Sequence, residues 1–215
     1  MKDHDTSMGT METIYARRSV RSYSDSLLDR GTILELLAAA VQAPTAIHEE
    51  PWAFTVIQDQ GLLDRLSDAA KKIYHQEIHV TRMEHSSVLH HGMEDPDASL
   101  FHDAGTLVVI WAKPLGRFAA TDCWLAAENL MLAACALGLG SCVIGSAVAA
   151  LNTNEWKTSL GVPREWLAIA PLIIGVASAP PPPVSRKKAE IVSWRECRAP
   201  QPANPGDEAP SPVDN

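Results

Sequence analysis

The amino-acid sequence predicts an α+β fold, and three observations lead there. Segments whose apolar residues recur at helical spacing are interleaved with four or five short runs rich in β-branched residues. The connections between them do not keep the regular strand–helix–strand rhythm of a doubly wound parallel sheet. Of the 215 residues 46% are hydrophobic and 20% charged, which supplies one sizeable core and the surface to cover it.

Taken in order, residues 1–10 are polar and read as a flexible start. A first helix is expected from Thr10–Met11 to about Arg17, with Thr10 as its cap. A second, over residues 32–43, carries Ile33, Leu36, Leu37, Ala40 and Val41 on one face and meets Pro44 as its stop. AFTVIQ (residues 53–58) reads as a strand and is followed by an amphipathic helix from about Gly61 through Ile78. Residues 76–102 have weak periodicity, five histidines and little apolar content, the profile of a solvent-exposed lid. TLVVIWA (residues 106–112) reads as a buried strand. Residues 121–137 form a helix apolar almost all the way round, which needs cover on several sides; a dimer interface would supply it. Residues 142–144 and 168–176 complete the strands. After Ala179 a stiff PPPP run leads into RKKAEIVSW, and the Pro-, Ala- and Asp-rich tail over 198–215 reads as disordered.

Composition narrows the function classes. A net charge of −8 argues against nucleic acid as a default partner. No apolar run reaches the roughly 20 residues that cross a bilayer, and the polar beginning lacks the apolar stretch of a signal peptide, so the expectation is a cytoplasmic protein without a membrane partner. Cys123, Cys135, Cys142 and Cys197 form no CxxC pair and read as free thiols, most of them in apolar surroundings. GLGSCVIG (residues 138–145) invites a dinucleotide-binding reading. It fails, because Val143 stands where the third glycine belongs and the run follows a helix rather than a strand. Gly138 fits a helix C-cap instead. His75 and His79 lie one helical turn apart, but no third ligand is evident nearby, so they read as solvated histidines and no metal is expected.

The most specific local feature is Arg17, Arg18, Ser19 and Arg21. Three guanidiniums and a hydroxyl within five residues repel one another unless they share an anion, and Arg offers fork-like donors suited to phosphate. Arg186, Lys187 and Lys188 form a second basic cluster, and the two together suggest one phosphate clamp built from both ends of the chain.

Five segments in order resemble the nitroreductase superfamily of FMN enzymes: RRSVRSY (17–23), AAVQAPTAIHEEPWAFTVI (39–57), FHDAGTLVVIWA (101–112), AAENLMLAACALGLGSCVIG (126–145) and RKKAEIVSW (186–194). The likeness spans about residues 11–195, and the domain is expected over 11–197. It implies a nitroreductase-like antiparallel sheet flanked by helices, an interlocked homodimer and two FMN sites at its interface. Carried over residue by residue, it implies that Arg17, Arg18, Ser19 and Arg21 contact the phosphate and the pyrimidine side of the flavin. It places Pro44 and Thr45 beside the flavin and Val143, Ile144 and Gly145 along it, with the Gly145 N–H near N5. Arg186, with Lys188 as the alternative, would close on the phosphate.

The turn PTAIHEEPW resembles that of the iodotyrosine deiodinase branch, with His48 and Glu50 where many members carry Asn and Gln. The Glu–Tyr–Lys set by which that branch grips its substrate is not found, and the branch puts a hydroxyl where Gly145 falls. His48 and Glu50 read most simply as a hydrogen-bonded pair buttressing the turn. The reading favoured throughout is an oxidoreductase passing electrons from NAD(P)H through FMN to a small electron-poor substrate, with no side-chain catalytic base. Its rivals are a flavin dehydrogenase, oxidase or reductive dehalogenase, and a non-catalytic flavin-binding module.

Overall fold

The computed structural model describes residues 8–81 and 98–196. They fall into two units, one ending at Pro182 and one starting at Pro183. The expected flexible start, most of the lid, the C-terminal tail and Cys197 lie outside the described residues, as do the side chains of His75 and His79.

The first unit is a four-stranded antiparallel sheet between helices. Its helices are α1 (Thr10–Ala16), α2 (Arg30–Ala40), α3 (Gln60–Thr81), α4 (Ala119–Ala136) and two short ones, α5 (Val148–Leu151) and α6 (Asn154–Ser159). Its strands are β1 (Trp52–Ile57), β2 (Thr106–Ala112), β3 (Gly140–Val143) and β4 (Leu167–Gly175), in the order β1-β2-β4-β3. The α+β, antiparallel expectation holds.

Strand β2 explains why its sequence is apolar without interruption: all seven residues are buried, because both faces of the sheet are covered. Alternation then divides them between two cores. Leu107, Val109 and Trp111 join α3 and the segment 100–104 on one face, while Val108, Ile110 and Ala112 meet α2 and α4 on the other.

Helix α4 lies on the sheet and against α2, burying Cys123, Ala126, Ala127, Leu130 and Ala134 completely. Trp124, Leu125 and, at its end, Leu137 are exposed, so the described residues cover only part of an almost wholly apolar helix. Gly138, at φ +73°, ends it in a Schellman motif: its N–H donates to Cys135 O at 3.0 Å and the Leu139 N–H to Ala134 O at 2.8 Å. The glycine-rich run is thus a helix exit, as expected.

Several boundaries differ from the sequence reading. Helix α2 starts earlier because Asp29, not a later residue, accepts the Thr32 N–H at 3.0 Å, and it ends at Ala40, before Pro44 can act. Thr10 is inside α1 rather than its cap; Gly9 occupies that position. The stretch 76–102 is not lid throughout. Helix α3 continues to Thr81, and Leu100 and Phe101 are buried in the core, where Ser67 Oγ accepts the Leu100 N–H at 2.9 Å. The second unit, from Pro183, forms no helix or strand and is exposed through residue 196.

Candidate functional site

The basic segment is held where α1 gives way to the sheet. Helix α1 ends at Ala16, and Arg18 folds back over that end, its guanidinium donating to Tyr15 O at 2.5 Å and Arg17 O at 2.7 Å. Its Nε is buried and has no hydrogen-bond partner among the described residues. Arg17 pairs with Glu128 of α4, Nε to Oε1 at 3.4 Å.

From Ser19 the chain runs alongside β3 and then β4. The Val20 N–H donates to Ser141 O at 3.0 Å, and the Ser24 N–H to Val176 O at 2.9 Å. Val20 and Tyr23 face inward and are buried, which leaves Ser19 and Arg21 exposed.

Two glycines make room for this. Gly140 and Gly175 are register partners on neighbouring strands. A Cβ on Gly140 would stand 2.8 Å from three side-chain atoms of Val20, and one on Gly175 would stand 3.0 Å from the Tyr23 ring. The pair forms a groove in which the basic segment is seated. Tyr23 locks it, donating its buried hydroxyl to Val20 O at 2.8 Å; burial pushes that hydroxyl's pKa up.

The charges converge on the adjacent strand end. Burial raises the pKa of the Cys142 thiol, while Arg21, the Ser19 hydroxyl and Arg17 pull it down. Cys135 is likewise raised by burial and lowered by Arg17 and Arg18. Arg21 also faces the half-buried His102, whose pKa is depressed first by burial and then by that guanidinium, against a smaller opposing pull from Asp103. An open cavity of about 170 Å³ lies here, lined by Arg17, Arg18, Val20, Cys135, Leu139 and Ser141 among others.

The remaining sequence-predicted residues lie elsewhere. Beyond β3, Ile144 is buried with its N–H donated to Pro171 O at 2.9 Å. Val143 is half-buried. Gly145 is exposed, open space surrounds its Cα, and its N–H meets no acceptor among the described residues.

Pro44 and Thr45 sit in the turn between α2 and β1, beside the opposite end of α4. The Ala46 N–H reaches the Asp122 carboxylate at 3.2 and 3.3 Å, near the start of α4, whereas the basic segment meets Cys135 near its finish. Thirteen helical residues separate the two, or about 20 Å. One chain therefore does not bring this turn and the basic segment together. Arg186 and Lys188 are exposed members of the second unit.

That turn carries backbone strain. Ile47, His48 and Glu50 have φ of 51°, 59° and 46°, a region that costs an L-residue about 1–2 kcal/mol each. The expected His48–Glu50 pair is not formed. Both side chains are exposed, and neither makes a hydrogen bond among the described residues. The buttress is Asp122, 76 residues away, and no local pattern could have pointed to it.

The family model "Nitroreductase family" matches residues 14–176. The chain belongs to the nitroreductase family. A relative in Archaeoglobus fulgidus, provisionally named an NADH dehydrogenase/NAD(P)H nitroreductase, is 29% identical over 170 residues, 77% of this chain and 83% of its own length. Among solved structures, a nitroreductase with bound FMN from Bacteroides fragilis superposes with a TM-score of 0.73 at 27% identity, covering 87% of this chain and all of that one. An iodotyrosine deiodinase bound to FMN and 3-iodo-L-tyrosine shares the fold: TM-score 0.69, 19% identity, 87% of this chain and all of that one. The resemblance of the five segments to nitroreductases thus identified the family correctly.

The residues present fit a flavin mononucleotide. In a chain of net charge −8, Arg17 and Arg18 line one cavity with Ser141, Arg21 and Ser19 act on the same strand at Cys142, and the buried Arg18 Nε has no hydrogen-bond partner among the described residues; past the end of β3 the Gly145 N–H likewise meets no acceptor among them.

Proposed function

We propose that this nitroreductase-family chain is an FMN-dependent oxidoreductase that takes reducing equivalents from NAD(P)H and delivers them to a small electron-poor acceptor such as a nitroaromatic or quinone. The observation that carries the reading is the basic segment seated in the Gly140–Gly175 groove, with Arg17, Ser19 and Arg21 directed around one strand end. FMN, when bound, supplies the hydride chemistry at N5, alternating between the two substrates.

The chain's own residues bind, orient and polarise. Arg17, Ser19 and Arg21 would hold the phosphate and the pyrimidine edge, with Arg18 Nε, unpartnered among the described residues, as a further donor and Arg186 or Lys188 as a further phosphate-binding cation. Positive charge and amide donors around an anionic ring favour its reduced, more negative form. The Gly145 N–H would donate toward the flavin without offering a proton-transfer side chain, while Val143 and Ile144 would line the ring. No catalytic base among the side chains is required.

The working unit is a homodimer. Pro44 and Thr45 belong beside the flavin, yet they lie about 20 Å along α4 from the basic segment, so a second copy supplies them. The exposed apolar residues Met11, Ile14 and Tyr15 of α1 and Trp124 and Leu125 of the adjoining α4 give that copy a surface to cover.

Anaerobic stopped-flow on the FMN-loaded protein tests the activity. The flavin absorbance is expected to bleach with NADH or NADPH and to return when a quinone is added. A flavin that neither nucleotide bleaches would refute the nicotinamide half of the reading.

A further inference from the structure

The strained turn between α2 and β1 is held by something other than its own side chains. Ile47, a β-branched residue at φ 51°, is 82% exposed, so no packing compensates its backbone. His48 and Glu50, also at positive φ, are exposed as well. A conformation of this kind persists only where its surroundings impose it.

Two hydrogen bonds bracket the turn. At its exit the Lys113 N–H donates to Pro51 O at 2.7 Å, a backbone contact that extends the β1–β2 pairing. At its entrance the Ala46 N–H is shared by both oxygens of Asp122 at 3.2 and 3.3 Å. Only the second uses a side chain. Asp122 is 4% exposed, and this is its one side-chain hydrogen bond among the described residues. A carboxylate buried for a single amide is costly unless its charge is met elsewhere; Asp122 sits in the opening turn of α4, which has no side-chain cap among the described residues, and the helix dipole meets it there.

We propose that Asp122 is a positioning residue for the reaction: through Ala46 it fixes the left-handed turn and so sets Pro44 and Thr45 against the cofactor and substrate. This rests on the reading that those two residues lie beside FMN. Asp122 touches neither flavin nor substrate; it acts through the turn. Ile47 is the strained element whose conformation Asp122 maintains.

The test uses the full-length protein with Asp122→Ala and Asp122→Asn, each alone and combined with Ile47→Gly. Amide hydrogen exchange over residues 44–50 reads the turn without reference to any cofactor. FMN affinity by fluorescence titration and the KM and kcat for p-nitrobenzoate read the function. Asp122→Ala is expected to speed exchange in 44–50 by about tenfold or more, the factor a lost charged hydrogen bond corresponds to, with β2 and β4 unchanged. It is expected to raise KM more than it lowers kcat. Asp122→Asn, which keeps one oxygen acceptor, falls between. Ile47→Gly restores much of the loss, since glycine adopts positive φ freely.

Unchanged exchange over 44–50 in Asp122→Ala overturns the proposal, whether or not FMN binds. A loosened turn with unaltered FMN affinity and KM overturns its functional part. Equal losses in the Ala and Asn variants with no recovery by Ile47→Gly reduce Asp122 to a structural role and overturn it too. If Asp122→Ala does not fold, Asp122→Asn with and without Ile47→Gly carries the same readouts. Wild-type protein that takes up no FMN defeats the flavin reading, and the exchange result then still judges the Asp122 clamp by itself.

Discussion

Replacing Gly140 by alanine should loosen the candidate phosphate site without touching a charged residue. The new Cβ would lie 2.8 Å from Val20 Cβ, Cγ1 and Cγ2, whereas carbon atoms rest at roughly 3.5–4.0 Å. Val20 would have to retreat by about 1 Å. It has little freedom to do so: it is buried, its N–H is bound to Ser141 O at 3.0 Å, and its carbonyl is held by Tyr23 at 2.8 Å. Overpacking of this kind costs about 1–3 kcal/mol, from which the strand's gain on losing a glycine removes about 0.5–1 kcal/mol. The remainder, about 0–2.5 kcal/mol, lowers Tm by up to about 10 °C in a chain of this size.

The flavin should register the change more strongly. Ser19 and Arg21 flank Val20 in sequence and move with it, and each hydrogen bond to a charged group contributes about 1.5–3 kcal/mol, so the FMN dissociation constant should rise at least about tenfold. The assay is a thermal melt paired with an FMN fluorescence titration, repeated on Val20→Ala and on the double variant. Val20→Ala frees the space, so the double variant should recover part of the loss, with a coupling of about 0.5–3 kcal/mol. A Gly140→Ala protein with wild-type Tm and wild-type FMN affinity would refute the groove argument.

Other outcomes follow from the same geometry. Arg17→Ala should weaken FMN binding by about tenfold or more, measured by flavin retention on a desalting column, and Arg186→Ala should do likewise; fully yellow variants would refute the assignments. Arg21→Ala should raise the pKa of His102 toward the ordinary histidine value, read from its imidazole proton shifts in an NMR titration. The sign for stability is set by the same depression. His102 supports the fold at pH above its unfolded value of about 6.5, and that support is lost as pH falls through the lower folded pKa. Denaturation midpoints at pH 7.5 and pH 5 should therefore converge in Arg21→Ala; an unmoved His102 titration would mean that Arg21 does not face it.

Much of the fold was legible because the relevant signals are local. TLVVIWA reads as a buried strand from composition alone, and Gly138 as a helix end from its place after an apolar helix. The basic cluster was legible as a candidate site because Arg17, Arg18 and Arg21 with Ser19 put three guanidiniums and a hydroxyl within five residues. What held these residues was not legible. Gly140 and Gly175 lie over a hundred residues beyond Val20 and Tyr23, and nothing near them in sequence signals a groove. Asp122 looks like an ordinary acidic residue in a helix's first turn, a place where its charge is favourable on its own account. His48 and Glu50 looked paired because polar residues near a turn usually are, whereas the structure satisfies the turn's amide from α4. Leu100 and Phe101 are hidden in a stretch whose weak periodicity and five histidines read as solvent-exposed, although two apolar residues suffice to anchor its end in the core.

The central claim is that this nitroreductase-family chain holds FMN in a site whose phosphate end is its own basic segment. The most direct measurement is the visible spectrum of the purified protein, with release and identification of any chromophore and a count of copies per chain. A two-banded flavin spectrum with about one FMN per chain is the result the account predicts. A colourless protein that also takes up no added FMN would contradict it, leaving the family's scaffold without the family's cofactor.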